Sequence, residues 1–91
     1  VVISSALETS VGLAAGLRAA AALPALPYDC GLATASLLEG DVTTDPLLPE
    51  SGVIQVREVE PDPGLLDEWQ ADPETESRLL RRLRQAAELL T

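Results

Sequence analysis

Apolar and polar positions divide the chain into stretches of different period. Val1-Val2-Ile3 is an unbroken, β-branched apolar run. That pattern belongs to short strands covered on both faces, as in parallel sheets, and predicts a strand over residues 1–4. Polar Thr9-Ser10 then precedes an Ala- and Leu-rich stretch that predicts a helix over residues 11–23. A hydroxyl of Thr9 or Ser10 can cap the free amides of its first turn, and Pro24 and Pro27 end it. Arg18 is its only charge, so the helix needs burial around most of its circumference. Gly12 and Gly16 permit close backbone approach while weakening the helix itself. Residues 28–32 predict a second short strand ending at Gly31. Residues 33–39 predict two helical turns, with Gly40 as a left-handed terminator. The connection is long enough for a parallel crossover. Two strands do not make a stable parallel sheet, so their neighbours are expected elsewhere in the same protein or in another chain.

The second half is less regular. Residues 41–52, with Pro46 and Pro49, predict a loop, and residues 53–59 an edge strand or an extended tail. Pro61-Asp62-Pro63-Gly64 reads as a break. Asp72-Pro73-Glu74 is a strong helix start: Asp as N-cap, Pro at the first helical position, an acid in the first turn. From there a helix is predicted to about Leu90. Leu79, Leu80, Leu83, Ala86, Ala87 and Leu90 form one apolar stripe, and Glu74 stands four residues before Arg78. Arg78, Arg81, Arg82 and Arg84 read as a solvated face.

Composition narrows this picture. The 91 residues allow one small domain. The hydrophobic share is 46% but the aromatic share only 2%, so an isolated core of small side chains would be thin. Cys30 is the only cysteine, which excludes an internal disulfide and fits a reducing, cytoplasmic setting; it reads as a small buried hydrophobe. The net charge of −9 disfavours nucleic acid and anionic membranes as partners. Residues 11–26 are too short and too interrupted to span a bilayer, and no basic segment precedes them as in a signal peptide. The sequence holds no Met and starts inside an apolar run, so further residues are expected before Val1.

The chain holds no His and no Lys. It therefore offers no Ser-His or Cys-His pair, no lysine base and no Cys/His zinc pattern. No Gly-rich phosphate loop is present, and no catalytic or metal-ligating residue is assigned. What remains is Ser4-Ser5-Ala6-Leu7-Glu8-Thr9-Ser10-Val11-Gly12, where the first strand passes into a helix. Ligands of α/β folds bind at the carboxyl ends of strands. There Ser4 and Ser5 offer hydroxyls and amides suited to a carboxylate, and Thr9 and Ser10 extend the donors. The same hydroxyls serve equally well as helix caps and loop partners. Glu8 fits an acid, a hydrogen-bond anchor or simple helix-start charge. Gly31, at the end of the second strand, admits a ligand close to the backbone or forms a tight turn.

Val2-Ile3-Ser4-Ser5-Ala6-Leu7-Glu8-Thr9-Ser10-Val11-Gly12-Leu13 resembles the seventh barrel strand and following helix of the o-succinylbenzoate synthases, in the enolase superfamily. Leu26-Pro27-Tyr28-Asp29-Cys30-Gly31-Leu32-Ala33-Thr34 resembles the eighth strand of the same family, and Asp41-Val42 and Asp45-Pro46-Leu47 continue the match. The specific part covers about the first half of the chain. The resemblance implies an α/β fold: the C-terminal part of a (β/α)7β TIM-like barrel, strands 7 and 8 with their helices, plus a C-terminal tail helix. Residues 1–45 would close the barrel domain. Residues 46–91 would form a tail with an extended segment and an amphipathic helix.

The implied activity is a Mg²⁺-dependent dehydration in menaquinone synthesis, from a succinyl-hydroxycyclohexadiene carboxylate to o-succinylbenzoate. In that family the lysines and metal carboxylates lie on earlier strands, so the Mg²⁺ ligands are expected outside this chain and the chain alone is expected to be inactive. What carries over is Ser4, Ser5 and Gly31 as substrate-carboxylate contacts, with Glu8 as a substrate or structural residue. The implied partners are the remainder of the barrel, a capping domain and the small carboxylate substrate. Two alternatives stay open: an N-acylamino-acid racemase or dipeptide epimerase of the same superfamily, and a small acidic interaction module using its Leu-rich last helix.

Overall fold

A computed structural model describes residues 1–90. Its first helix, α1 (Ser10–Ala21), starts one residue before the predicted span and ends two before it. Thr9 is the N-cap but makes no side-chain capping bond. The acceptor comes instead from Asp41. Its carboxylate takes the Ser10 amide at 3.0 Å and the Ser10 hydroxyl at 2.6 Å, placing a negative charge at the positive end of the helix. The Ser10 hydroxyl in turn accepts the Leu47 amide at 2.9 Å. Ser10 is fully buried, and its amide and hydroxyl are both satisfied by this loop.

Leu13, Ala14, Leu17 and Ala20 recur at helical spacing and face the core, where Leu32, Ala35 and Leu47 meet them. Ile3, Cys30, Ile54 and Val59 pack on the edge of this cluster. Gly16 has the role its position suggested: a Cβ there would lie 3.1 Å from Leu32 Cδ2, so the missing side chain lets Leu32 close on the helix.

The two predicted strands are not formed as strands. Among the described residues the parallel pairing between residues 1–4 and 28–32 is reduced to one bridge, Ser4 to Gly31. The Ser5 amide donates to the Gly31 carbonyl at 3.0 Å and the Gly31 amide to the Ile3 carbonyl at 3.1 Å. The predicted direction and order are present, but two extended segments without flanking strands have too few ladder bonds to extend the pairing. The two helical turns expected over residues 33–39 shrink to a 3₁₀ turn, Ala35–Leu37, in which only Ala35 is buried. Gly40 is not left-handed; Gly52 is the only glycine with positive φ among the described residues. Gly40 is needed for space, because a Cβ there would fall on the indole ring of Trp69.

Within the expected loop, Ser51 (φ 52°) and Gly52 (φ 78°) form a tight reversal closed by paired bonds between Glu50 and Val53 of 2.8 and 3.0 Å. Residues 53–59 are extended, with no ladder beyond that bridge. Arg57 fastens them: its guanidinium donates to the carbonyls of Asp45 at 2.8 Å and Pro46 at 3.2 Å.

The expected break at Pro61–Gly64 is instead the start of α2 (Pro63–Glu68). Asp62 caps it by accepting the Leu65 amide at 2.9 Å, and Pro63 occupies the first turn. The last helix, α3 (Pro73–Glu88), begins as predicted, with Asp72 accepting the Thr75 amide at 2.7 Å. Among the described residues its stripe is left largely uncovered: no residue of α3 is buried, and Leu83 is 65% exposed. Glu74 and Arg78 are not within ion-pair distance of each other, whereas Arg57 and Asp45 are paired at 3.4 Å. The radius of gyration is 15.0 Å, against about 12 Å for a compact domain of this length, in keeping with a last helix that buries no residue. No helix among the described residues is long and apolar enough to cross a membrane.

Candidate functional site

The parallel bridge brings Ser4, Ser5 and Gly31 together at the mouth of α1. Successive side chains of an extended segment point to opposite sides, so the two serines face different surroundings. Ser4 lies beside Gly31 on the exposed side: a Cβ on Gly31 would sit 3.3 Å from Ser4 Cβ. The Ser4 hydroxyl makes no hydrogen bond among the described residues. Ser5 is half-buried and fully engaged. Its Oγ lies 2.8 Å from Thr34 Oγ1 and 3.3 Å from the Gly31 carbonyl. Ser4 and Gly31 thus leave donors and space open to solvent, while Ser5 is turned back into the fold.

Glu8 is exposed and packs over Gly12, whose Cβ would lie 3.1 Å from Glu8 Cβ. Among the described residues no ion pair holds its carboxylate. Between the serines and Glu8, Leu7 adopts φ 65°. A bulky residue in the left-handed region costs on the order of 1–3 kcal/mol, so the corner holds strain just where the extended segment gives way to helix. Of Thr9 and Ser10, expected to extend the donor patch, Ser10 is committed elsewhere, locked by Asp41 and Leu47, while Thr9 makes no side-chain capping bond.

Sequence reasoning missed Asp41 and Thr34, which hold this corner. Asp41 enters only through the family resemblance at Asp41-Val42; apart from that, nothing in the linear pattern distinguishes it from other surface acids. Thr34 stands three residues after Gly31, a spacing that becomes meaningful only once the backbone turns at Ala35–Leu37. Among the described residues no three His, Cys, Asp or Glu side chains come together as metal ligands. The described residues therefore do not fit a Mg²⁺ site.

Two extended segments paired in parallel, with a helix crossing between them, form the kind of unit from which α/β proteins are built. No family model matches the chain. It is similar to the o-succinylbenzoate synthase of Thermobifida fusca (strain YX), 62% identical over 73 residues, covering 80% of this chain and 23% of that protein. It is also similar to the o-succinylbenzoate synthases of Mycobacterium tuberculosis (strain ATCC 25618 / H37Rv) and Mycobacterium ulcerans (strain Agy99). Each of these is 44% identical over 90 residues, covering 99% of this chain and 27% of the relative. The chain thus spans about a quarter of the length of the curated relatives it matches. It is a homologue of the o-succinylbenzoate synthases, lyases of the enolase superfamily, in agreement with the resemblance carried by residues 2–13 and 26–34.

Proposed function

We propose that this chain supplies the substrate-carboxylate contacts of an o-succinylbenzoate synthase, with Ser4 and Gly31 at the contact and Ser5 behind them. The observation that carries this reading is the Ser4–Gly31 bridge, which leaves an unengaged hydroxyl beside a residue with no side chain, both open to solvent. A hydroxyl donates to a carboxylate, and the glycine lets that carboxylate approach the backbone closely. Of the expected contacts, Ser5 has its hydroxyl committed to Thr34 and Gly31, so it contributes through placement of the loop. Glu8 has the exposure for a substrate contact, and its position over Gly12 also suits a structural role.

In this reading the chain acts together with the rest of a (β/α)7β barrel and a capping domain, in the cytoplasm. The reaction is the dehydration of a succinyl-hydroxycyclohexadiene carboxylate to o-succinylbenzoate in menaquinone synthesis. Mg²⁺ and the acid–base lysines belong to residues outside this chain, where the ion would stabilise charge developing on the substrate carboxylate. The chain alone is inactive with Mg²⁺ and substrate.

The test is Ser4→Ala in the complete enzyme. Substrate binding should weaken by about 1–2 kcal/mol, the scale of one hydrogen bond to a charged group. Unchanged KM and turnover would remove Ser4 from the site. Assaying the complete protein for both dehydration and N-acylamino-acid racemisation separates this activity from that of its superfamily relatives.

A further inference from the structure

The adjacent serines do different work, and the difference points to a residue with no assigned role. We infer that Thr34 is a positioning residue for the carboxylate-holding pair Ser4 and Gly31, acting through Ser5; this rests on the reading above. Ser5 has one hydroxyl proton and two oxygen neighbours, the Gly31 carbonyl at 3.3 Å and Thr34 Oγ1 at 2.8 Å. A carbonyl can only accept, so the arrangement that satisfies all three groups runs Thr34 hydroxyl to Ser5 hydroxyl to Gly31 carbonyl. The same carbonyl accepts the Ser5 amide at 3.0 Å, and the Gly31 amide donates to Ile3 at 3.1 Å. Gly31 is therefore held on both sides of its backbone, at the height that sets its distance from Ser4.

Thr34 is itself fixed. Its carbonyl accepts the Leu37 amide at 3.0 Å, and it immediately precedes the buried Ala35 in the turn Ala35–Leu37. Core packing at Ala35 is thereby transmitted through Thr34 and Ser5 to the exposed face of Gly31. Displacement of a contact by about 1 Å is enough to degrade substrate placement. Thr34 does this without touching the ligand.

The experiment is steady-state kinetics on the complete enzyme containing this chain. Thr34→Val keeps the shape and removes the donor. KM should rise about three- to tenfold, the scale of one neutral hydrogen bond, with kcat within about twofold. Thr34→Ser should restore KM to within about twofold of the starting enzyme. Thr34→Val should add nothing in a Ser5→Ala background, since the two hydroxyls act as one unit. Thr34→Ala repeats the measurement where the valine variant does not fold. If Ser4→Ala raises KM and the Thr34 variants do not, the positioning role falls and the carboxylate-holding reading stands. If Ser4→Ala also leaves KM unchanged, that reading itself falls. A rise that serine does not rescue assigns Thr34 to packing and overturns the proposal.

Discussion

Helices α1 and α3 reverse the usual relation between sequence strength and burial. α1 carries two glycines and a single charge and has no side-chain cap of its own, yet five of its residues are buried. α3 has a capping Asp, a proline in the first turn, two early acids and strong helix formers throughout, yet none of its residues is buried. α1 is held by what surrounds it, whereas the start of α3 is held by local bonds. An apolar stripe establishes that a helix can bury a face. It does not establish that anything within the same chain covers that face.

Substitutions in the two helices should separate these cases. Leu13→Ala in α1, at a fully buried position, should cost about 2–5 kcal/mol in urea unfolding. Leu83→Ala in α3 should stay within about 0.5 kcal/mol, as at other exposed sites. Equal losses would mean that α3 is packed in solution. Ser10→Ala should cost about 1.5–3 kcal/mol, because it removes a bond to the Asp41 carboxylate and strands the buried Leu47 amide. Gly40→Ala forces the Trp69 ring away and should cost about 1–3 kcal/mol by overpacking. Trp69 is the only tryptophan, so a red shift in its emission would report the displacement directly.

The smallest effect concerns pH. The Thr75 amide and hydroxyl donate to the Asp72 carboxylate and hold it below the usual aspartate range. A depressed acid stabilises the folded form fully above its unfolded value, and that contribution is lost as pH falls through the lowered one. Far-UV circular dichroism should show α3 losing helicity only in that acidic range, and Asp72→Asn should flatten this part of the profile.

Local signals were legible and distant ones were not. The Asp72-Pro73 start was readable because cap, proline and first-turn acids lie within five residues. Asp62-Pro63 carries the same signature, but Gly64 and Pro61 beside it read as a break, and the helix there was missed. The paired segments were visible as apolar runs, and their parallel contact at Ser4 and Gly31 matches the expected direction. Their reduction to a single bridge reflects missing neighbours, which no local pattern encodes. Ser4 and Ser5 were identified together as donors. Their separate roles depend on Thr34, 29 positions from Ser5.

The carboxylate at the mouth of α1 comes from a residue 31 positions from Ser10. A helix capped by its own neighbour holds its first turn by local bonds; one capped from a distant loop draws that stability from a tertiary contact. α1 and residues 41–47 are therefore coupled: loss of the loop's bonds to Ser10 uncaps the helix, and loss of the helix strands the buried Leu47 amide.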